Sequence, residues 1–196
     1  MIKYPNGKSA ESKSLGKIKR MTKPIATGNR GMGLEEDINI TNQFYKDKDL
    51  CLITKRPTPI NVVKVDYSHG AVITNAYFEK QSTTDYNGVY KSRYIDFEAK
   101  STQSKTSLPL SNIPSQQVEH LKRVIRHGGI AFFIIEFASL NEVYLLDASH
   151  VINFVNAKEG RSLSYVFIKE NGKQIKRGFL PRLDYLAIVE ELYFKS

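Results

Sequence analysis

Cysteine is almost absent from this chain: Cys51 stands alone. An intramolecular disulfide is therefore excluded, and a reducing, cytoplasmic setting is expected. Cys51 sits in an apolar run with Leu50, Leu52 and Ile53, which reads as a buried structural thiol rather than a nucleophile. Long apolar runs are missing too. The longest, Ile130–Ile135, is far too short to span a bilayer. The N-terminus is polar and basic without an apolar segment, so no signal peptide is expected. No internal repeat is visible. Acid is scarce at the start of the chain, where Glu11 faces Lys3, Lys8, Lys13, Lys17, Lys19, Arg20, Lys23 and Arg30. Apolar residues there are sparse and follow no period. Such a segment cannot offset its own ordering entropy. Residues 1–29 therefore read as a basic, disordered tail. Its single-signed charge favours a nucleic-acid contact over an idle solvated segment.

The rest of the 196 residues is rich enough in apolar side chains (41% of the whole chain) for one compact domain, residues 30–196. A formal net charge of +9 favours a polyanionic partner, nucleic acid or an anionic surface. A helix is predicted at Leu34–Lys46, with Glu35, Glu36 and Asp37 at its positive end. A core strand follows at Leu50–Lys55, then a break imposed by Pro57 and Pro59. Ile60–Tyr67 and Ala71–Phe78 flank Ser68-His69-Gly70 as a candidate hairpin. It either projects from the main sheet or extends it. Ser115 is the expected cap of a helix lined by Val118, Leu121, Val124 and Ile125 and ended by Gly128-Gly129. Strands are predicted at Ile130–Phe137 and Glu142–Leu146, and a short helix at Ala148–Phe154 capped by Asp147. Ala157–Arg177 reads as a polar, basic linker, and Leu183–Phe194 as the last helix. The order of elements gives an α/β fold with a mixed central sheet flanked by helices.

The chemistry concentrates in Tyr94–Lys100. Ile95, Phe97 and Ala99 alternate with Asp96, Glu98 and Lys100, the period of a half-buried strand. One face packs; the other carries two carboxylates and an ammonium. If Lys91-Ser92 is a two-residue turn, Asp85 falls opposite Glu98 and joins that face. If Asn87-Gly88 turns instead, Asp85 faces Tyr90 and Glu98 is unpaired. Clustered carboxylates repel unless a cation sits between them, and oxygen ligands favour Mg2+, with Mn2+ as an alternative. A nearby lysine can stabilise charge on a phosphate. The bland alternative is a solvated strand face with a cross-strand salt bridge.

Several segments carry a family likeness: Tyr4–Lys8, Asn29-Arg30-Gly31-Met32, Lys55–Pro59, Ala76-Tyr77-Phe78, Ser82–Tyr90, Tyr94–Lys100, Gln117–His120 and Pro181–Tyr185. In this order the chain resembles the RecU-type Holliday junction resolvases of bacteria. The resemblance implies a restriction-endonuclease-like core with a protruding β-hairpin stalk at about residues 56–80. It also implies a homodimeric, Mg2+-dependent endonuclease that resolves four-way DNA junctions in recombination and repair, alongside recombination proteins at the nucleoid. By the same resemblance Thr83, Asp85, Glu98 and Gln117 are the metal-site residues, and Lys100 stabilises the transition state. Asp96 is held as a supporting or structural residue. Arg30, Lys55, Arg56 and Lys64 are expected at DNA phosphates. The chain departs from the family pattern after Lys100, where Ser101 follows, and before Gln117, where Pro114-Ser115-Gln116 stand. His120 is expected to pack or cap its helix.

Two other functions share parts of this pattern. A non-catalytic basic nucleic-acid binder shares the charge but has no use for Asp85, Glu98 and Lys100 together. A duplex endonuclease of the same fold, without junction preference, shares the site and lacks only the reason for a stalk.

Overall fold

The computed structural model describes residues 33–79 and 83–195. The tail 1–29 and Arg30 lie outside the described residues. In chain order the elements begin with α1 (Leu34–Asp47), β1 (Leu52–Lys55), β2 (Ile60–Asp66), β3 (Val72–Phe78), β4 (Tyr86–Tyr90) and β5 (Arg93–Thr102). They continue with β6 (Ser107–Pro109), α2 (Ser115–Arg126), β7 (Ile130–Phe137), β8 (Glu142–Asp147) and α3 (Ala148–Ala157). The last are β9 (Ser162–Ser164), α4 (Tyr165–Asn171), β10 (Lys173–Ile175) and α5 (Tyr185–Tyr193).

A six-stranded sheet runs in the order β1-β4-β5-β7-β8-β10. β5 and β7 are parallel and the other neighbours antiparallel, so the sheet is mixed as expected. Side chains alternate across it. Ile95, Phe97, Phe132 and Ile134 pack with α1 and α5 on one face; Ala131, Phe133 and Ile135 pack with α2, α3 and α4 on the other. β7 is buried along its whole length. A strand covered on both faces is largely apolar, which explains the hydrophobic run Ile130–Ile135; the one charge in β7, Glu136, is paired with Arg177. No helix among the described residues is long and apolar enough to cross a membrane.

The two-residue turn lies at Lys91-Ser92, where both φ angles are positive (44° and 62°), as a type I′ hairpin requires. Asn87-Gly88 is the better local turn sequence, but it is used elsewhere. Gly88 pairs with Ile53 on one side and Ile95 on the other. A Cβ there would lie 2.0 Å from the Leu52 carbonyl oxygen. The glycine admits β1 to the sheet, and the turn moves along the chain.

β2 and β3 form a separate two-stranded sheet with nearly every side chain exposed. The hairpin therefore projects and does not extend the main sheet. Its base is closed by the Glu79 N–H donating to the Pro59 carbonyl at 3.0 Å.

Two expectations need correcting. Residues 157–177 are not a linker: β9, α4 and β10 lie there, anchored by Leu163, Ile168 and Ile175. Each element is too short to show a period, and its stability comes from docking. After Lys100, β5 continues to Thr102, and β6 then pairs with β9. Ser115 is the first helical residue of α2, and Pro114 occupies the cap position. Asp147 does cap α3, accepting from the Ser149 N–H at 2.8 Å.

Candidate active site

The β4–β5 register brings the two central carboxylates together. Tyr90 faces Arg93 and Tyr86 faces Phe97, so the next position carries Asp85 to Glu98. The Asp85 N–H donates to Glu98 Oε2 at 3.0 Å, and the Ala99 N–H donates to Asp85 Oδ2 at 3.2 Å. Each carboxylate is thus fixed by the other strand's backbone.

Asp96, Glu98 and Lys100 share the face of β5 that α2 covers. The sequence pattern suggests a half-buried strand, but here the polar face is buried too: Glu98 is 1% exposed and Asp96 0%. Lys100 Nζ lies 2.5 Å from Glu98 Oε1, and Gln117 Nε2 donates to the same oxygen at 2.8 Å. Burial, reinforced by the charge of Asp85, pushes the Glu98 carboxyl up to about 7 despite Lys100. Lys100 offsets only part of what desolvation costs.

Gln117 reaches this point from the first turn of α2, and its Nε2 is also 3.5 Å from the Thr83 carbonyl. Its Oε1 is buried without a hydrogen-bond partner. An orphaned amide oxygen costs about 1–3 kcal/mol. Beside two carboxylates, such an oxygen fits a cation. No group of three His, Cys, Asp or Glu side chains placed to hold a metal exists among the described residues. The groups here that could hold an ion are the Asp85 and Glu98 carboxylates, with neutral oxygens of Gln117 and Thr83. That set suits Mg2+, which retains waters and shares its remaining positions with substrate phosphate.

The expected DNA-contact residues fall in different places. Lys55 is paired with Glu35 at the surface. Lys64 is exposed on the projecting hairpin. Arg56 turns inward, 18% exposed at its side chain, with Nη2 2.6 Å from Asp96 Oδ2. Asp96 also accepts from the Tyr94 hydroxyl at 2.8 Å and from the Thr84 hydroxyl, and His120 Nε2 lies 2.9 Å away. His120 therefore packs into this knot, next to a surface depression lined by Thr83, Ser115, Gln116, Glu119 and Arg123.

Sequence reasoning did not single out Thr84 or Tyr94, nor a second buried knot near the end of β5. There the Arg177 guanidinium pairs with both Asp37 and Glu136, and the Ser101 hydroxyl donates to Glu136 Oε2 at 2.6 Å. No local signal marks either knot, because the partners are up to 140 residues apart.

A family described as Recombination protein U, RecU, matches residues 29–191. A protein of a Geobacillus species named Holliday junction resolvase RecU is 49% identical over 199 residues, covering 99% of this chain and 98% of its own. Its namesake from Bacillus cytotoxicus is 50% identical over 198 residues, covering 98% of each chain. The solved Holliday junction resolvase Hjc of Archaeoglobus fulgidus overlaps only weakly. Its TM-score is 0.31 at 13% identity, over 55% of this chain and 77% of that one. A match over most of the chain, and near-half identity from end to end, mean that the chain belongs to the RecU family.

Proposed function

We propose that this protein is a Mg2+-dependent endonuclease that resolves four-way DNA junctions. The observation that carries the chemistry is the meeting of Asp85, Glu98, Lys100 and Gln117 around one buried carboxylate. The choice of substrate rests on relatives of near-half identity that are named Holliday junction resolvases. Asp85 and Glu98 hold the ion, with the Gln117 amide oxygen and Thr83 completing its shell. When bound, the ion would lower the pKa of a coordinated water and supply positive charge at the phosphoryl oxygens. Lys100 sits where its ammonium can stabilise charge on the phosphate under attack. Asp96 holds the surrounding side chains in place.

Two such sites are needed to cut opposing strands of a junction, and a two-fold homodimer matches the junction's own symmetry. Arg30 and the tail 1–29 grip a duplex arm through phosphates, with Lys64 on the hairpin nearer the crossover. Recombination proteins at the bacterial nucleoid are the natural partners of this reaction. The direct test incubates the purified protein with a mobile four-way junction and a matched linear duplex, with and without Mg2+. Cleavage of neither substrate would refute the reading, and equal cleavage of both would leave a nuclease without junction preference.

Proton and metal should compete for Glu98. Below pH about 7 its carboxyl holds a proton that the ion must displace. Apparent Mg2+ affinity should therefore rise roughly tenfold per pH unit up to about 7 and level off above. Calorimetric titration in buffers of different ionisation enthalpy would detect the released proton. Glu98→Gln should remove the pH dependence; an affinity flat across this range in the wild type would contradict the assignment.

The hairpin offers a second test. Replacing residues 60–78 with a short Gly-Ser loop should leave the main sheet folded, since β2 and β3 pair only with each other. If the hairpin occupies the crossover, this variant binds linear duplex as before and loses its preference for junctions. Competitive binding at fixed salt measures this, with circular dichroism as the folding control. A folded variant that still prefers junctions would shift recognition to the surfaces that hold the arms.

A further inference from the structure

We propose that Arg56 is a positioning residue for the nuclease reaction, not a phosphate contact: it pins the loop carrying Thr83 and Asp85 against β5. This rests on the reading of Asp85 and Glu98 as the nuclease site. The Arg56 N–H donates to the Asp85 carbonyl at 2.7 Å. Its Nη1 donates to the Thr84 hydroxyl at 2.7 Å and lies 3.3 Å from the Thr84 carbonyl. Its Nη2 donates to the Tyr94 hydroxyl at 2.7 Å and to Asp96 at 2.6 Å.

One guanidinium thus bridges two elements. On one side is the segment entering β4, which delivers Thr83 and Asp85. On the other is β5, two residues before Glu98. The planar fork of an arginine fixes direction as well as distance between its acceptors. The fully buried Asp96 supplies the countercharge that keeps the fork turned inward. A residue gripping phosphate would present its donors to solvent; these are directed at the protein. The spacing between Asp85 and Glu98 sets where a shared cation can sit. Misplacement by about 1 Å at such a site costs about a hundredfold in rate.

The loop has other ties, so loss of Arg56 should loosen it without unfolding the domain. Asp96 keeps Thr84, Tyr94 and His120. Asp85 keeps its bonds to Glu98 and Ala99.

The test compares the wild type with Arg56→Ala, Arg56→Lys and Thr84→Val in the full chain. Junction affinity and its salt dependence are measured without Mg2+, and single-turnover cleavage at saturating junction across a Mg2+ series. Arg56→Ala should bind the junction within about twofold of wild type, with an unchanged slope of log K against log salt. Its cleavage rate should fall about a hundredfold, with half-saturation shifted to higher Mg2+. Added guanidinium should recover part of the rate, and Arg56→Lys less, because an ammonium restores the charge opposite Asp96 but not the planar fork. Thr84→Val removes the acceptor at the other end of the same bond and should show the same pattern. That variant decides the matter if Arg56→Ala fails to fold. A slope reduced by about 0.9 with normal cleavage at saturation would make Arg56 a phosphate contact and overturn the proposal. Normal binding, slope and cleavage together would overturn it as well. Failure of the wild type itself to cleave any junction would instead refute the nuclease reading on which the proposal rests.

Discussion

Asp85→Asn and Glu98→Gln should each abolish junction cleavage, by about a thousandfold or more, while junction binding stays within a few-fold of wild type. Each change removes one charge and keeps the side chain's shape. In the proposed site the cation would then lose one of its two carboxylates, its other donors being neutral. Loss of a single group acting on the reacting phosphate already costs about a hundredfold to a thousandfold. Binding should survive because it rests on Lys and Arg contacts to phosphate. Glu98→Gln carries a second signature. In the folded protein the Glu98 carboxyl is pushed up to about 7, against an ordinary value of 4.5. Holding it ionised therefore costs the folded state progressively as pH rises from about 4.5 through 7, and most above that. In EDTA, Glu98→Gln should hold its stability better than wild type as pH rises, and show no such advantage near pH 4. Junction cleavage at a near wild-type rate by either variant would refute the site.

Arg177→Ala should be strongly destabilising, by about 3–5 kcal/mol. Arg177 pairs with Asp37 of α1 and Glu136 of β7, both nearly buried. Removing it leaves two buried carboxylates, with the Ser101 hydroxyl still donating to Glu136. For a chain of this size the melting temperature should drop by roughly 10 °C. The mechanism separates from simple lost packing in a mutant cycle. On an Asp37→Asn, Glu136→Gln background the same Arg177→Ala change should cost much less, because the uncompensated charges are gone. An Arg177→Ala variant within about 1 kcal/mol of wild type in urea would show that this knot contributes little.

How much of this was legible in the sequence depended on how far apart the interacting residues lie. The helices at α1 and α2, the strands β7 and β8 and the α3 cap follow from patterns within one element, and the structure has them where those patterns place them. Asp85 and Glu98 were within reach because they belong to one hairpin. Once the turn is fixed, register is arithmetic. The turn itself was not fixed locally. Asn87-Gly88 and Lys91-Ser92 competed, and the outcome depended on β1, which needs a residue without a side chain at Gly88. Thr83 and Gln117 could be named only through family likeness, since nothing in their local pattern brings Gln117 to Glu98 or Thr83 to Gln117.

The sequence by itself determined the α/β class, the basic charge and the alternation that lines Asp96, Glu98 and Lys100 along one strand face. Those properties are set by composition and by the two-residue period of a strand. Tertiary structure alone decided that α2 would bury that face and push Glu98 toward neutrality, and that residues 157–177 would order by docking. It also decided that Arg56 would turn from solvent to Asp96, 40 residues away, and that Arg177 would join Asp37 to Glu136. Buried charges take whichever partners the packing of distant elements brings to them, and no local pattern records that choice.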